Sequence, residues 1–161
     1  MIKNTRKNNK KNKTAFSVIE ILVAIAILLV VGGVSVTSFL NWRSEKNIDS
    51  AADITLSVLE EARNLTINAY GGNQFGVYFG SDDRLVRFTG TTYNAGDISN
   101  VITLLPRNEI IATSTKGALI VFQKFTGSAG GAGTIVLTDK NNASTTRTMV
   151  IDNSGIVSIK K

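Results

Sequence analysis

The feature that most constrains this chain is an apolar block near its N-terminus that contains a single charge. Between Phe16 and Trp42 the only charged residue is Glu20, and 22 consecutive uncharged residues run from Ile21 to Trp42. About 20 mostly apolar residues are enough for a helix to cross the hydrocarbon core of a membrane. We therefore expect this segment to be a helix whose sides are covered by lipid or by other helices.

The basic character of the chain is confined to the residues before this block. The full sequence has 18 basic and 12 acidic residues, and six of the basic ones lie in residues 1–15, which contain no acid. Residues 16–161 therefore carry 12 charges of each sign. Basic segments beside a membrane helix stay in the cytoplasm, so we expect the C-terminal part to be extracytoplasmic. A net charge of zero beyond the leader gives no indication of general nucleic-acid binding.

Glu20 separates two interpretations of the apolar block. A plain signal anchor accounts for the hydropathy but gives the acid no role, and a carboxylate costs about 2.5–3.5 kcal/mol at the membrane centre and less near the interface. If the chain is cut between Ala15 and Phe16, the new amine lies about one helical turn from Glu20. That carboxylate is favoured at a helix N-terminus and is able to pair with the amine of a neighbouring chain.

Residues 13–28, K-T-A-F-S-V-I-E-I-L-V-A-I-A-I-L, resemble the class III signal of type IV prepilins and type II secretion pseudopilins. The resemblance implies cleavage between Ala15 and Phe16 by a prepilin peptidase, N-methylation of Phe16, and assembly with other pilins through the retained helix and Glu20. We expect no cofactor, and the composition of the chain argues against enzymatic activity. One departure is Ala15, because the family usually has Gly before the cleaved bond.

The helix is predicted to continue beyond the membrane and to end at Gly71-Gly72. Apolar and small residues recur three or four positions apart, which indicates an amphipathic helix with one packed face. They are Ile48, Ala51, Ala52, Thr55, Leu59, Ala62, Leu65 and Ala69. Gly32-Gly33, in the apolar half, has two compatible interpretations. One is a place of close helix–helix contact, and the other is a weak point of the helix. The second agrees with the family resemblance, because pilins of the family unwind locally in this neighbourhood when they assemble.

After Gly72 the pattern changes from helical to strand-like. Short runs rich in Val, Ile, Phe and Thr alternate with turn-forming residues, which is typical of an antiparallel meander or small sandwich. We predict strands at 74–79, 84–89, 101–105, 118–125, 134–137, 147–151 and 156–159, and a glycine-rich hairpin connection at 127–133. The fold class is α+β: a long N-terminal helix, half transmembrane and half amphipathic, packed on a small β-rich head.

The head carries a second and weaker resemblance. Its helix end E-E-A-R-N-L-T-I-N-A, its middle segment around L-L-P-R-N-E-I-I and its closing R-T-M-V-I-D-N-S-G-I-V-S-I are similar to the H-type minor pseudopilin of type II secretion and to T-type minor pilins. The expected organisation is a cleaved leader at 1–15, an assembly half of the helix at 16–40, an amphipathic half at 41–72 and a head at 73–161. The protein is expected to be a single-pass protein of the cytoplasmic (inner) membrane that enters a filament.

Composition argues against catalysis. The chain has no Cys and no His, which removes the commonest general base and metal ligand and every nucleophile scheme that depends on Cys or His. Most acids of the head lie in predicted turns, where Asp bonds to nearby main chain, and we expect Asp82-Asp83 to be a solvated turn without the ligand spacing of a calcium site. No metal is predicted.

DNA binding is the open alternative to a purely structural role, as in a minor pilin of a DNA-uptake filament. It requires basic side chains gathered on one surface to contact phosphates. The candidates are Arg147, Lys160 and Lys161, together with Arg84, Arg87 and Arg107. The sequence leaves open which machine the subunit would serve.

Overall fold

The computed structural model describes residues 16–80, 83–106 and 110–160, except for the side chains of 34–37, 110 and 111. The predicted leader, Ala15, Asp82, Arg107 and Lys161 lie outside the described residues. The chain divides into two compact units, Met1–Phe39 and Leu40–Lys161. We call the second the C-terminal unit.

In the part of the chain that the structure describes, one long α-helix precedes eight β-strands. The helix α1 spans Val18–Ile67 and is followed by a short 3-10 turn at Tyr70–Gly72. The strands are β1 Phe75–Phe79, β2 Arg84–Thr89, β3 Val101–Leu104, β4 Ile110–Ser114, β5 Leu119–Val121, β6 Gly133–Asp139, β7 Thr146–Ile151 and β8 Val157–Lys160. The predicted α+β architecture is confirmed.

The helix ends at Ile67, four positions before Gly71, the first residue of the glycine pair predicted to stop it. Ala69 adopts the left-handed conformation with φ 45°, and Gly71 follows with φ 59°. The last helical turn is closed by the Ala69 N–H, which donates to the carbonyl of Thr66 at 3.1 Å. The chain can then turn into β1, whose first N–H, that of Phe75, donates to the Thr66 hydroxyl at 2.9 Å.

The strands form two antiparallel four-stranded sheets. Sheet A has the order β3-β2-β1-β5 and sheet B the order β4-β6-β7-β8. Strand β1 also contacts β4, so the two sheets adjoin there, and the strands at the far ends of the two sheets are β3 and β8. The core lies between the inner faces of both sheets and the helix residues predicted to face it, including Ile48, Ala51 and Leu59.

Three details of the predicted β structure are wrong. Strand β4 was missed, because Ile110–Ser114 is short and follows directly on a polar segment. The strand expected at 118–125 is reduced to Leu119–Val121, and Phe125 has φ 64°, which no strand residue adopts. The glycine-rich segment after Gly127 joins β5 of sheet A to β6 of sheet B, so it is a connection between sheets and not a hairpin.

The direction of each strand follows from its contacts with the helix. The end of β6 lies near the start of the unit's helical segment, because Ser44 donates its hydroxyl to Asp139. Strand β7 begins near Asp49 and is followed by Ser154, whose carbonyl accepts from Arg63 Nε at 3.2 Å. Strand β7 therefore runs along α1, and its antiparallel neighbour β8 runs against it.

The same reasoning orients sheet A. Strand β1 starts beside Thr66 at the end of the helix, so it runs against α1. Strand β2 reverses that direction and β3 restores it, because both pairings are antiparallel. The two outer strands, β3 and β8, thus run in the same direction, against the helix.

Candidate functional site

The N-terminal half of α1 exposes an almost wholly apolar surface. Its most apolar window of 18 residues has a mean hydropathy of 2.7, and none of that window is buried. Large apolar side chains exposed within Met1–Phe39 are Phe16, Val18, Ile19, Ile21, Leu22, Val23, Ile25, Ile27, Leu28, Leu29, Val30, Val31 and Phe39. Patches beyond a few hundred Å² are rare on soluble monomers. By length and composition this segment is a candidate membrane anchor.

Phe16 and Glu20 lie on one side of this helix. The helix begins at Val18, and the Glu20 N–H donates to the Ser17 carbonyl at 3.0 Å, so the acid sits in the first turn. Both side chains line a shallow groove along the helix that continues over Ile21 and Ala24. Phe16 is 76 % exposed.

Gly32 and Gly33 lie within the continuous helix α1. A Cβ built on either residue meets nothing within 4 Å. The helix is therefore unbroken at this point in the single chain, and the surface over the two glycines is open. This geometry admits a closely approaching helix, while the roles expected for the pair stay predictions.

Two of the described basic residues proposed for a DNA contact, Arg147 and Arg87, are paired with acids of the helix. Arg147 Nε lies 2.7 Å from Asp49 Oδ1, so its charge is already paired. Lys160 lies on β8 opposite Thr148, the residue after Arg147. Because successive side chains of a strand point to opposite faces, Arg147 and Lys160 lie on different faces of sheet B.

The two other basic candidates that the structure describes, Arg84 and Arg87, lie on β2 of sheet A. Arg87 Nη2 is 3.4 Å from Glu61 Oε1, and its guanidinium stands 5.8 Å from the centre of the Phe75 ring. Arg84 is exposed at the start of β2. Arg87 therefore forms an ion pair between sheet A and the helix. Its side chain is only 15 % exposed, so it is poorly accessible to a phosphate group.

Asp83 contradicts the expectation of a solvated turn. Its carboxylate is 2 % exposed, and Oδ2 lies 2.8 Å from Lys140 Nζ. The other oxygen, Oδ1, is buried without a hydrogen bond. The pair ties the β1–β2 turn of sheet A to the β6–β7 turn of sheet B. Nothing in the sequence near Asp83 indicates so distant a partner, so the contact could not be found by local reasoning.

A second buried acid, Asp139, directly precedes Lys140 in the sequence. Asp139 accepts from the Ser44 hydroxyl and from the Asn141 N–H, the latter at 2.8 Å. Its side chain borders a polar groove of about 400 Å³ that is also lined by Arg43, Asn47, Asn141 and Asn142. One oxygen of Asp139 therefore joins the β6–β7 turn to the helix, and the other accepts a hydrogen bond within the turn.

The other head acids described serve their own turns, as expected. The Ser99 main-chain N–H holds the pKa of Asp97 below its usual value. The Ser154 hydroxyl does the same for the pKa of Asp152. Within residues 16–80, 83–106 and 110–160 no three His, Cys, Asp or Glu residues are grouped so that they would hold a metal ion.

Comparison with known proteins gives a fold relationship at low sequence identity. No protein-family model and no curated protein matches the chain. A crystal structure of the type IV minor pilin FimU of Pseudomonas aeruginosa strain PAO1 matches with a TM-score of 0.56 and 13 % identity, covering 72 % of this chain and 90 % of that one. A second crystal form of FimU gives a TM-score of 0.53 and 13 % identity, with 70 % and 92 % covered. The chain has a type IV pilin-like fold.

Proposed function

We propose that the chain is a structural subunit, a minor pilin or pseudopilin, of a type IV filament or type II secretion pseudopilus. The observation that carries this proposal is the exposed apolar half of α1, with Glu20 one turn from Phe16, in a protein whose fold resembles that of a minor pilin. The exposed surface has to be covered, first by lipid and then by the helices of other subunits.

Processing is the first step of the proposed role. Prepilin peptidase cuts between Ala15 and Phe16 on the cytoplasmic side, and the new amine of Phe16 is methylated. The basic residues of 1–15 hold this end in the cytoplasm, so the C-terminal unit is extracytoplasmic. Within a filament, Glu20 pairs with the Phe16 amine of a neighbour, because a charge enclosed among apolar helices is stable only with a partner.

DNA binding receives no support from the charges. Two of its candidate residues, Arg147 and Arg87, are engaged with Asp49 and Glu61. Phosphate contacts require cations that are free to replace counterions. We therefore propose a structural role for the head and no nucleic-acid partner.

Intact mass of the chain extracted from membranes tests the processing step. We expect a protein that has lost residues 1–15 and gained one methyl group at Phe16. An Ala15→Trp variant is the matched control, because a bulky residue before the cleaved bond should leave the leader in place. A wild-type chain that begins beyond Trp42 would have lost its apolar segment to a signal peptidase, and the proposal would then be wrong.

A further inference from the structure

Strand β3 is an outer edge of sheet A that bears no charge. Its sequence and the two residues after it, Val101 to Pro106, are uncharged. Ile102 is 55 % exposed and Leu104 is 61 % exposed. Natural proteins usually protect an edge strand with charged side chains, a bulge or a covering segment, since a bare edge pairs readily with another strand.

The main chain of β3 offers hydrogen bonds on its outer side. The Leu105 N–H points toward β2, because it donates at 2.9 Å to the carbonyl of Asp83, the residue before β2. Main-chain groups alternate along an antiparallel ladder, so Val101 and Thr103 also face β2, while Ile102 and Leu104 face away from it. These two residues therefore present unpaired N–H and carbonyl groups together with exposed apolar side chains.

Strand β8 is the matching outer edge of sheet B. The Asp152 N–H donates to the Ile156 carbonyl at 3.0 Å, which places the main chain of Ser158 and Lys160 toward β7. The main-chain groups of Val157 and Ile159 consequently face away from the sheet. Each outer edge thus offers two outward-facing residues, two positions apart.

We propose that β3 of one subunit pairs with β8 of a second copy of this chain, which joins neighbouring heads edge to edge. The partner is chosen by strand direction, because β3 and β8 both run against α1. When all subunits point the same way, β3 of one copy and β8 of the next are parallel and can form a parallel ladder. This inference rests on the proposed function, which requires subunits with a common orientation.

Two-fold pairing of β3 with β3 of a second copy would not give the two subunits a common orientation. Antiparallel β3 strands in one sheet would be related by an axis perpendicular to that sheet, which reverses the helix segment packed on it. Pairing β3 with β8 is heterologous, so each copy keeps one free edge of each kind. Heterologous contacts build rings or open helical filaments, which is the kind of assembly that the proposed function needs.

Cross-linking of the full-length chain tests this pairing directly. The chain has no cysteine, so Leu104→Cys with Ser158→Cys supplies the only two thiols, both on sheet faces turned away from the helix. A short bis-maleimide applied to cells should give a ladder of dimers, trimers and larger products from the double variant. Each single variant should give no product. A dimer from Leu104→Cys alone, or no ladder from the double variant, would overturn the proposal.

A proline variant of the double-cysteine chain tests whether main-chain hydrogen bonds of β3 contribute to the pairing with β8. Ile102→Pro removes an N–H that faces away from β2, so the head should stay folded. We expect about a tenfold loss of cross-linked product, the change that corresponds to the loss of roughly one hydrogen bond. Ile98→Pro is the matched control, because it enters the second position of the Asp97–Asn100 turn, where proline is favoured. An undiminished ladder with Ile102→Pro would contradict strand pairing.

Filaments sheared from the same cells distinguish this inference from the proposed function. Wild-type chain in the filaments without a ladder from the double variant refutes β3–β8 pairing and leaves the filament role intact. A ladder in membranes, with no chain ever recovered in filaments, supports the pairing and refutes the filament role.

Discussion

At the scale of single residues, Glu20 carries the most specific prediction. Glu20→Gln should leave the level of chain in the membrane unchanged or higher, because the carboxylate no longer has to enter lipid. Incorporation into filaments should fall at least about tenfold, since the Phe16 amine of a neighbour loses its partner among apolar helices. The measurement is the ratio of filament-bound to membrane-bound chain by quantitative immunoblot.

Glu45→Gln is the matched control for Glu20. It removes an equal charge from an exposed position of the same helix within the C-terminal unit. We expect its ratio to equal that of wild type. Equal ratios for both variants would show that Glu20 is not an assembly contact.

The buried Asp83 predicts a second effect at this scale. Lys140→Ala leaves a carboxylate that is 2 % exposed without the ammonium that lies 2.8 Å away. The free energy of unfolding should fall by about 1–3 kcal/mol, less than for a fully enclosed pair because Lys140 is itself partly exposed. Urea unfolding of detergent-solubilised chain measures it. Lys160→Ala, on the outer face of β8, should change stability by less than about 0.5 kcal/mol, and equal losses in the two variants would contradict a special role for Asp83.

At the scale of elements, the contact between α1 and the sheets should dominate the stability of the C-terminal unit. Leu59 is fully buried among residues of both sheets, while the adjacent Glu60 is exposed. Leu59→Ala should lower the free energy of unfolding by about 2–5 kcal/mol, because it removes apolar contacts and leaves a cavity. Glu60→Ala, in the same turn, should be nearly neutral. A small loss for Leu59→Ala in denaturant unfolding would show that the helix is not held by this face.

The sequence predicts elements well where a period extends over many residues. The spacing of Ile48, Ala51 and Leu59 identifies the buried face of α1 without any knowledge of its partners. Short segments carry less information. Strand β4 has only five residues. It pairs with β6, whose residues lie between 21 and 29 positions further along the chain, and the local sequence pattern does not encode so distant a contact.

The residues of the candidate site also differ in how far the sequence predicts them. Phe16 and Glu20 are recognisable from sequence, because the role proposed for them depends on spacing along one helix. The pairing of Asp83 with Lys140 and of Arg147 with Asp49 depends on contacts over 57 and 98 positions. The first contact joins the two sheets and the second joins sheet B to the helix, so the free or paired state of a basic residue could not be predicted from local sequence.

At the scale of the whole molecule, the C-terminal unit should fold without the apolar half of the helix. Its buried core consists of residues from Ile48 onward. Removal of residues 1–40 should therefore give a soluble monomer with a β-rich circular dichroism spectrum, a helical contribution from the rest of α1 and a cooperative thermal transition. A mainly helical spectrum, or a chain that aggregates without a transition, would contradict this view of the unit.

The central claim is that the chain becomes part of an extracellular or periplasmic filament through its N-terminal helix. The most direct measurement is mass spectrometry of filaments sheared from intact cells and freed of membrane. The account predicts a chain of residues 16–161 in that fraction, still carrying its apolar segment and beginning at methylated Phe16. Chain found only in the membrane fraction, while other filament subunits are recovered in the sheared material, would contradict the account.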